Sequence, residues 1–284
     1  MEAQRPASVL YVRVVPPPPE REWVHAWKPE VPGISEVFHA RFVQHAYPKH
    51  THDDWTVFIV DDGAIRYDLD RHERGVGSAR ITLLPPHVVH DGRAASEAGF
   101  RKRVLYVGTE VLGTHLIGRA ADAPDIDDRS LLSLMHRLHA SLRHPDDALE
   151  AETLMGLVTE QLHRHLGETT PDHRGSSDAA VAGTLRDLLD AHLSEPYRLS
   201  EAAATIGAST STLSRAFTRS FGIAPHRYVV ARRIEFARKR LLSGEPVATV
   251  AATVGFHDQA HFTRHFGRHV GTTPARYANS GDPA

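Results

Sequence analysis

Two segments near the C-terminus of this chain repeat one another. Residues 213–228 read LSRAFTRSFGIAPHRY and residues 262–277 read FTRHFGRHVGTTPARY. At an offset of 49, Arg215/Arg264, Phe217/Phe266, Arg219/Arg268, Gly222/Gly271, Pro225/Pro274, Arg227/Arg276 and Tyr228/Tyr277 coincide, which is 7 identities in 16 positions. A duplication of this kind means that one supersecondary unit is used twice. Both copies are basic and aromatic.

At 284 residues the chain is long enough for two domains, each with its own core. Its charge divides unevenly. Residues 198–277 hold 12 Lys+Arg against 4 Asp+Glu, and the remainder holds 21 against 31. A basic C-terminal segment on an acidic body implies a polyanion bound at one end, or else a well-solvated face of a helical domain. Hydrophobic residues at 41% and charged residues at 24% fit a soluble globular protein. No stretch approaches the roughly 18 consecutive apolar residues of a membrane span. The opening MEAQRPASVLYVRVVPPPPE lacks the basic start and continuous apolar region of a secretory signal. The absence of cysteine excludes disulfides, thiolate ligands and a cysteine nucleophile, and it fits a cytoplasmic location.

Residues 1–20 end in four prolines and read as an extended lead-in. Over about 22–112 the text is strand-like: EVFHARFV (36–43), WTVFIVDD (55–62), AIRYDLD (64–70), ITLLPP (81–86) and RVLYVG (103–108), with turns expected at Asp62-Gly63 and Gly75-Val76-Gly77. Short strands at this spacing suggest a sandwich or small barrel over 21–120. Residues 121–166 change to helical periodicity, with Leu131, Leu134, Met135, Leu138 and Leu142 on one stripe and Leu149, Leu154, Leu157, Val158 and Leu162 on another. Such helices either pack on the barrel or pair with a second subunit. The polar stretch GETTPDHRGSSD marks a linker over 167–177.

Beyond the linker, a helix capped by Ser177 or Asp178 should run to Leu193, with Val181, Leu185, Leu188 and Leu189 inward. In 199–221, Leu199, Ala203 and Ile206 form a small apolar face, Gly207 suits a sharp turn, and Ser209 can cap the next helix. On that helix Leu213, Ala216 and Phe217 face inward, leaving Thr210, Ser211, Ser214, Arg215, Thr218 and Arg219 outside. In 247–269, Gly255 takes the turn, Asp258 the cap, Phe262 and Phe266 the core, and Gln259, Thr263, Arg264 and Arg268 the surface. Hydroxyls and guanidinium groups on a helix suit a DNA major groove, where Gln pairs with adenine and Arg with guanine or phosphate. A long helix over 225–242 joins the two units. Arg219, Arg268, Arg232 and Arg233 either contact DNA or form solvated or intradomain pairs, and Tyr228 and Tyr277 are expected in packing roles.

Residues 178–278 resemble the AraC/XylS family of bacterial transcription regulators. The resemblance rests on ARRIEFARKRLL (231–242), VATVAATVGFHDQAHFTRHFGRHVGTTPARY (247–277) and SRAFTRSFGIAPHRY. It implies two helix-turn-helix units whose second helices enter adjacent major-groove faces roughly one DNA turn apart. Carried over by position, base contacts fall on Ser211, Ser214 and Arg215 and on Gln259, Thr263 and Arg264. Residues 279–284 form a tail.

The segments KHTHDDWTVFIVDDG (49–63) and TLLPPHVVHDG (82–92) resemble a cupin barrel of the AraC ligand-binding type. Cupin metalloenzymes hold a metal through H-x-H, a nearby glutamate and a later histidine after a P-G-x-x-H turn. Here His50, His52 and His90 keep the histidine pattern, Asp53-Asp54 follows where glutamate is expected, and His87 replaces the glycine. His50, His52, Trp55 and His90 are therefore expected to meet a small effector, with His50, His52 and His90 open to a metal. Phe58 and Tyr67 either line that pocket or serve as core. No catalytic triad or paired-carboxylate arrangement stands out.

The resulting expectation is an α+β two-domain chain. A cupin-like barrel with a helical dimerisation segment would precede an all-α tandem helix-turn-helix. It implies a non-enzymatic, effector-responsive regulator, with promoter DNA, a small molecule, a second copy of the chain and, for an activator, RNA polymerase as partners. The alternatives are a metal-dependent cupin enzyme fused to a DNA-binding domain and a ligand-independent DNA-binding dimer.

Overall fold

The computed structural model describes residues 22–143, 147–167, 177–195 and 199–280. The lead-in over 1–20, the linker between 168 and 176 and the tail beyond 280 lie outside the described residues.

Nine strands form the N-terminal domain: β1 (Trp23–Trp27), β2 (Ile34–Phe42), β3 (Tyr47–His50), β4 (Trp55–Leu69), β5 (His72–Gly77), β6 (Ile81–Leu84), β7 (His90–Ala94), β8 (Phe100–Val107) and β9 (Asp125–Ile126). Every pairing is antiparallel. One layer runs β1-β2-β8-β4-β6-β9 and the other β5-β4-β7-β3, so β4 belongs to both and folds the sheet into a barrel. The turn expected at Asp62-Gly63 is instead a bulge inside β4. Its register against β8 slips between Val60 and Asp62, and Gly63 takes φ +74° beside the Gly99 carbonyl, where no Cβ fits. Gly75-Val76-Gly77 is likewise strand, paired with Ala64, Ile65 and Arg66. The real hairpin turn is Asp70-Arg71, both at positive φ, a two-residue turn that carries none of the usual Asn-Gly or Asp-Gly signal. The barrel also outruns its expected limit at residue 120, because β9 pairs with β6.

The first layer is buried on both faces, which explains the unbroken apolar run at the start of β4. Alternate residues part company there. Trp55, Val57 and Ile59 pack outward in a cluster with Leu105, Leu131, Met135, Leu154 and Leu162, whereas Phe58 and Val60 point into the lumen with Phe38, Tyr67 and Val104. The outward cluster is closed by α1 (Thr109–Leu112), a 3-10 turn (Thr114–Leu116), α2 (Ile117–Asp122), α3 (Arg129–Ser141, capped by Asp128) and α4 (Ala148–Gly167). Of the two roles open to the 121–166 helices, packing on the barrel is the one this cluster displays.

The C-terminal module comprises α5 (Ser177–Ala191), α6 (Leu199–Ile206), α7 (Thr210–Phe221), α8 (Pro225–Leu242), α9 (Val247–Thr253), α10 (Gln259–Val270) and α11 (Pro274–Ala278). Helix α5 stops at Ala191, short of Leu193. The first unit's core gathers Leu185, Leu189, Ala202, Leu213, Phe217 and Tyr228, with Val89 of the barrel at its edge. The second unit's core runs on into the barrel. Val250, Phe256, Phe262, Phe266 and Tyr277 share one continuous apolar cluster with Phe38, Phe42 and Val104 of the barrel.

Candidate functional site

The glycine, proline, phenylalanine and tyrosine identities of the repeat each have a structural cause, and both units cap their second helix. Ser209 accepts the Thr212 amide at 3.1 Å and Asp258 accepts the His261 amide at 2.6 Å, capping α7 and α10. Both helices end on a left-handed glycine, Gly222 at φ +67° and Gly271 at φ +83°. Three residues later Pro225 and Pro274 open α8 and α11, where proline's missing N–H costs nothing. Phe217 meets Tyr228 edge-on at 5.3 Å, and Phe266 meets Tyr277 edge-on at the same separation. The remaining identities are three pairs of arginines: Arg227/Arg276 in the first turns of α8 and α11, exposed, and two pairs on α7 and α10. Arg215, Arg219, Arg264 and Arg268 are all exposed.

Gln259 is exposed beside Arg264, and Ser214 and Thr263 are half-buried at their flanks. Ser211 lies on α7 with its side chain outside the described residues. The two helices thus present matching polar, basic faces, one from each unit, joined by the 18 residues of α8. Each face can contact phosphates and base edges.

The same tyrosine is used differently in the two copies. Tyr228 donates to Asp190 of α5 within its own domain. Tyr277 instead donates to Glu36 on β2 of the barrel, which also accepts from Arg238 at 2.5 Å. Glu36 and Arg238 are 4% and 6% exposed, so the pair is buried at the domain boundary. Burial lifts the Glu36 carboxyl above its ordinary range against the pull of Arg238. Two more pairs flank it: Arg232 reaches Asp53 at 2.6 Å and Lys239 reaches Asp54 at 2.9 Å. Arg232 also contacts Glu235 and Asp190. The expectation of solvated or intradomain pairs therefore holds for Arg233, which donates to the Leu193 and Glu195 carbonyls, and holds in part for Arg232, which pairs with Glu235 and Asp190 inside its own module and also crosses to Asp53. Asp53 and Asp54, which stand where cupin metalloenzymes carry glutamate, hold the C-terminal helical module to the barrel. Glu36, Arg238 and Lys239 were not singled out from the sequence, since nothing in their local pattern marks a partner about 200 residues away.

Inside the barrel, β3 and β7 bring the expected histidines together. His50 and His90 are direct cross-strand partners, and His52 follows His50 by two residues, on the same side. Ring centroids lie 4.4–5.2 Å apart, and one nitrogen from each ring falls within 4.8 Å of the others. Burial depresses all three, His90 to about 4 and His50 and His52 well below their usual range, so the imidazoles are neutral. The Nδ1–H of His50 donates to the Pro48 carbonyl at 2.7 Å and that of His90 to the Val88 carbonyl at 3.0 Å, which leaves both Nε2 lone pairs free. Tyr47, Thr56, Phe58, Tyr67, Lys102 and Tyr106 line the same cavity, about 40 Å³ in volume, room for a few waters or a compact group. The Lys102 ammonium sits 4.3 Å over the Tyr47 ring, and burial pushes it down to about 7. Trp55, expected with the histidines, is fully buried in the opposite cluster against the helices, because it falls on the outward phase of β4.

A cupin barrel raises the question of a resident metal. The donor set fits one: three converging neutral imidazoles, two of them oriented by backbone carbonyls, suit an imidazole-binding divalent ion. Such an ion would be held by His50, His52 and His90 and would supply a positive centre for an anionic ligand.

Two parts of the chain match known protein families. Residues 32–158 match the AraC-like ligand binding domain family and residues 202–280 a helix-turn-helix domain family. The HTH-type transcriptional regulator YbfI of Bacillus subtilis is 24% identical over 233 residues, spanning 80% of this chain and 85% of its own. The HTH-type transcriptional activator RhaS of Yersinia pestis is 25% identical over 236 residues, 79% of this chain and 86% of its own. Among solved structures, unsaturated fatty acid bound ToxT from Vibrio cholerae superposes with a TM-score of 0.55 at 13% identity, covering 90% of this chain and 93% of that one. That likeness is one of fold.

Proposed function

The chain belongs to the AraC/XylS family of transcription regulators, with an N-terminal ligand-binding domain and a helix-turn-helix DNA-binding module, and on that premise we propose that it is a sequence-specific activator switched by a small molecule in its barrel. Double-stranded promoter DNA is read by α7 through Ser211, Ser214, Arg215 and Arg219, and by α10 through Gln259, Thr263, Arg264 and Arg268. The observation that carries this is the pair of exposed, equivalently placed arginines on two capped helices whose other shared residues are consumed by packing. Reading by two units joined through one helix favours two short elements about one DNA turn apart. The protein acts in the cytoplasm as a homodimer, and activation runs through contact with RNA polymerase. RhaS, named an activator, supports that sign, and a fatty acid bound to ToxT supports a small-molecule effector.

The switch is a shift in populations. In the docked arrangement Glu36, Asp53 and Asp54 hold α8 and α11 against the barrel mouth. A ligand that binds the lumen more tightly in one arrangement than the other changes the placement of the reading helices. A second cavity, lined by Tyr47, His50, His52 and Tyr106 together with Ile234, Arg238 and His269, joins lumen to interface. Selection of genomic fragments by the purified protein, followed by binding across a salt series, tests the reading. A discrete, salt-sensitive site with two elements supports it, and no enrichment above bulk DNA with or without candidate effectors refutes it.

A further inference from the structure

The segment that carries the histidines also carries the docking carboxylates. His50 and His52 are followed immediately by Asp53, which binds Arg232 and whose amide donates to Glu235, and by Asp54, which binds Lys239. His87, at the positive φ that its place in the turn imposes, donates its amide to the His52 carbonyl at 2.8 Å and faces Asp53 at 3.5 Å. The conformation of residues 50–54 is therefore set from one side by the histidine cluster and from the other by α8.

In this conformation the cluster is incompletely satisfied. Nδ1 of His52 is buried without a hydrogen-bond partner, as are the hydroxyls of Tyr47, Thr51 and Thr56. The lone pairs of His50 and His90 converge on acceptors rather than donors, an arrangement that is unfavourable among neutral rings alone and favourable around a cation. Among the described residues Asp91 is the only carboxylate lining the cavity, and it accepts the Asp68 amide. No carboxylate joins the three rings among the described residues. We propose that His50, His52 and His90 form a three-imidazole, carboxylate-free binding site for a divalent transition ion, and that filling it tightens the docking of α8 through Asp53 and Asp54. With only neutral protein ligands the ion keeps its full charge, and an anion completes its shell. Imidazole ligands favour zinc, copper, nickel or iron over magnesium and calcium. The binding half of this inference stands apart from DNA recognition, and the docking half rests on the proposed switch.

Full-length protein purified without a His-tag and stripped with EDTA is titrated with Co²⁺ and with Zn²⁺. One ion per chain is expected, with a visible Co²⁺ spectrum of nitrogen coordination that Zn²⁺ abolishes. His90→Ala should lose it, while His261→Ala, half-buried on α10 against Phe256 and outside the barrel, should keep it. Because His90→Ala also removes a buried ring from the barrel, His50→Gln and a circular dichroism comparison accompany it. At a free ion concentration ten-fold above Kd, hydrogen exchange of α8 amides should slow by up to about ten-fold. Sub-stoichiometric binding, binding that survives both barrel variants, or binding lost only in His261→Ala would overturn the site. Stoichiometric binding with unchanged exchange in α8 would overturn the coupling. DNA is absent throughout, so either failure is separate from failure of the regulator reading.

Discussion

Replacing Glu36 by Gln isolates the docking of the DNA-binding module on the barrel. The substitution preserves shape but removes the carboxylate that Arg238 meets at 2.5 Å in a site where both side chains are less than a tenth exposed. Removing one partner of a buried pair costs about 3–5 kcal/mol, most of it from the charge left behind. In the undocked state Arg238 and residue 36 are both hydrated, so the cost falls on docking and leaves the folding of each domain almost untouched. At about 1.4 kcal/mol per factor of ten, the docked-to-undocked ratio falls by about two to three and a half orders of magnitude. The rings of Tyr106 and Phe38, over which Arg238 lies at 4.3 and 5.5 Å, recover part of this, which places the lower end of the range nearer. Hydrogen exchange reads it directly. Amides of α8 and α11 should exchange about 100-fold faster in Glu36→Gln, while the β4–β8 ladder keeps its protection. Protection of α8 within a few-fold of the parent would refute the latch. Equal loosening of β4 and β8 would show instead that the pair stabilises the barrel itself.

Gly222→Ala and Gly271→Ala occupy the same repeat position and should differ. Both place a Cβ at positive φ, worth about 1–2 kcal/mol, but only at 271 does it meet the Phe42 ring, at 2.5 Å, so urea unfolding should show the larger loss there, and equal losses would contradict the shared core. Ser209→Ala and Asp258→Ala each remove a cap and should cost about 1 kcal/mol, detectable as a lowered Tm; an unchanged Tm would mean the caps add nothing. Burial holds His39 at about 3 and His45 at about 4. An unfolded histidine titrates near 6.5, so below that pH the unfolded chain binds protons the native chain refuses. Stability is therefore intact above about pH 6.5 and falls as pH drops from there towards 4, by about 2 kcal/mol per such histidine at pH 5. A urea midpoint that holds steady or rises between pH 7 and 5 would sink that account.

Local signals carried the C-terminal module almost to the residue. Caps, left-handed glycines and N1 prolines act within a few residues, so α7 runs between Ser209 and Gly222 and α10 between Asp258 and Gly271. The barrel was less legible because its decisive features are non-local. The β4 bulge depends on the Gly99 backbone opposite Gly63, and the Asp70-Arg71 turn on strands that register around it. The histidine cluster was visible because H-x-H on a strand places two rings on one side. The inward phase was not, and Trp55 fell on the other face. The docking latch left no sequence trace, since Glu36 lies in an ordinary strand and Arg238 in an ordinary basic helix. Their meaning comes only from being brought together.

The account stands most directly on the two arginines of the reading helices. The measurement is binding of the parent, Arg215→Ala and Arg264→Ala to the selected site and to single-base variants of each element, across a salt series. Each substitution should cost about 1–3 kcal/mol and relax base preference in its own element only, with the other element's preference kept. Parent-like affinity and preference in both variants would contradict the claim that α7 and α10 read DNA.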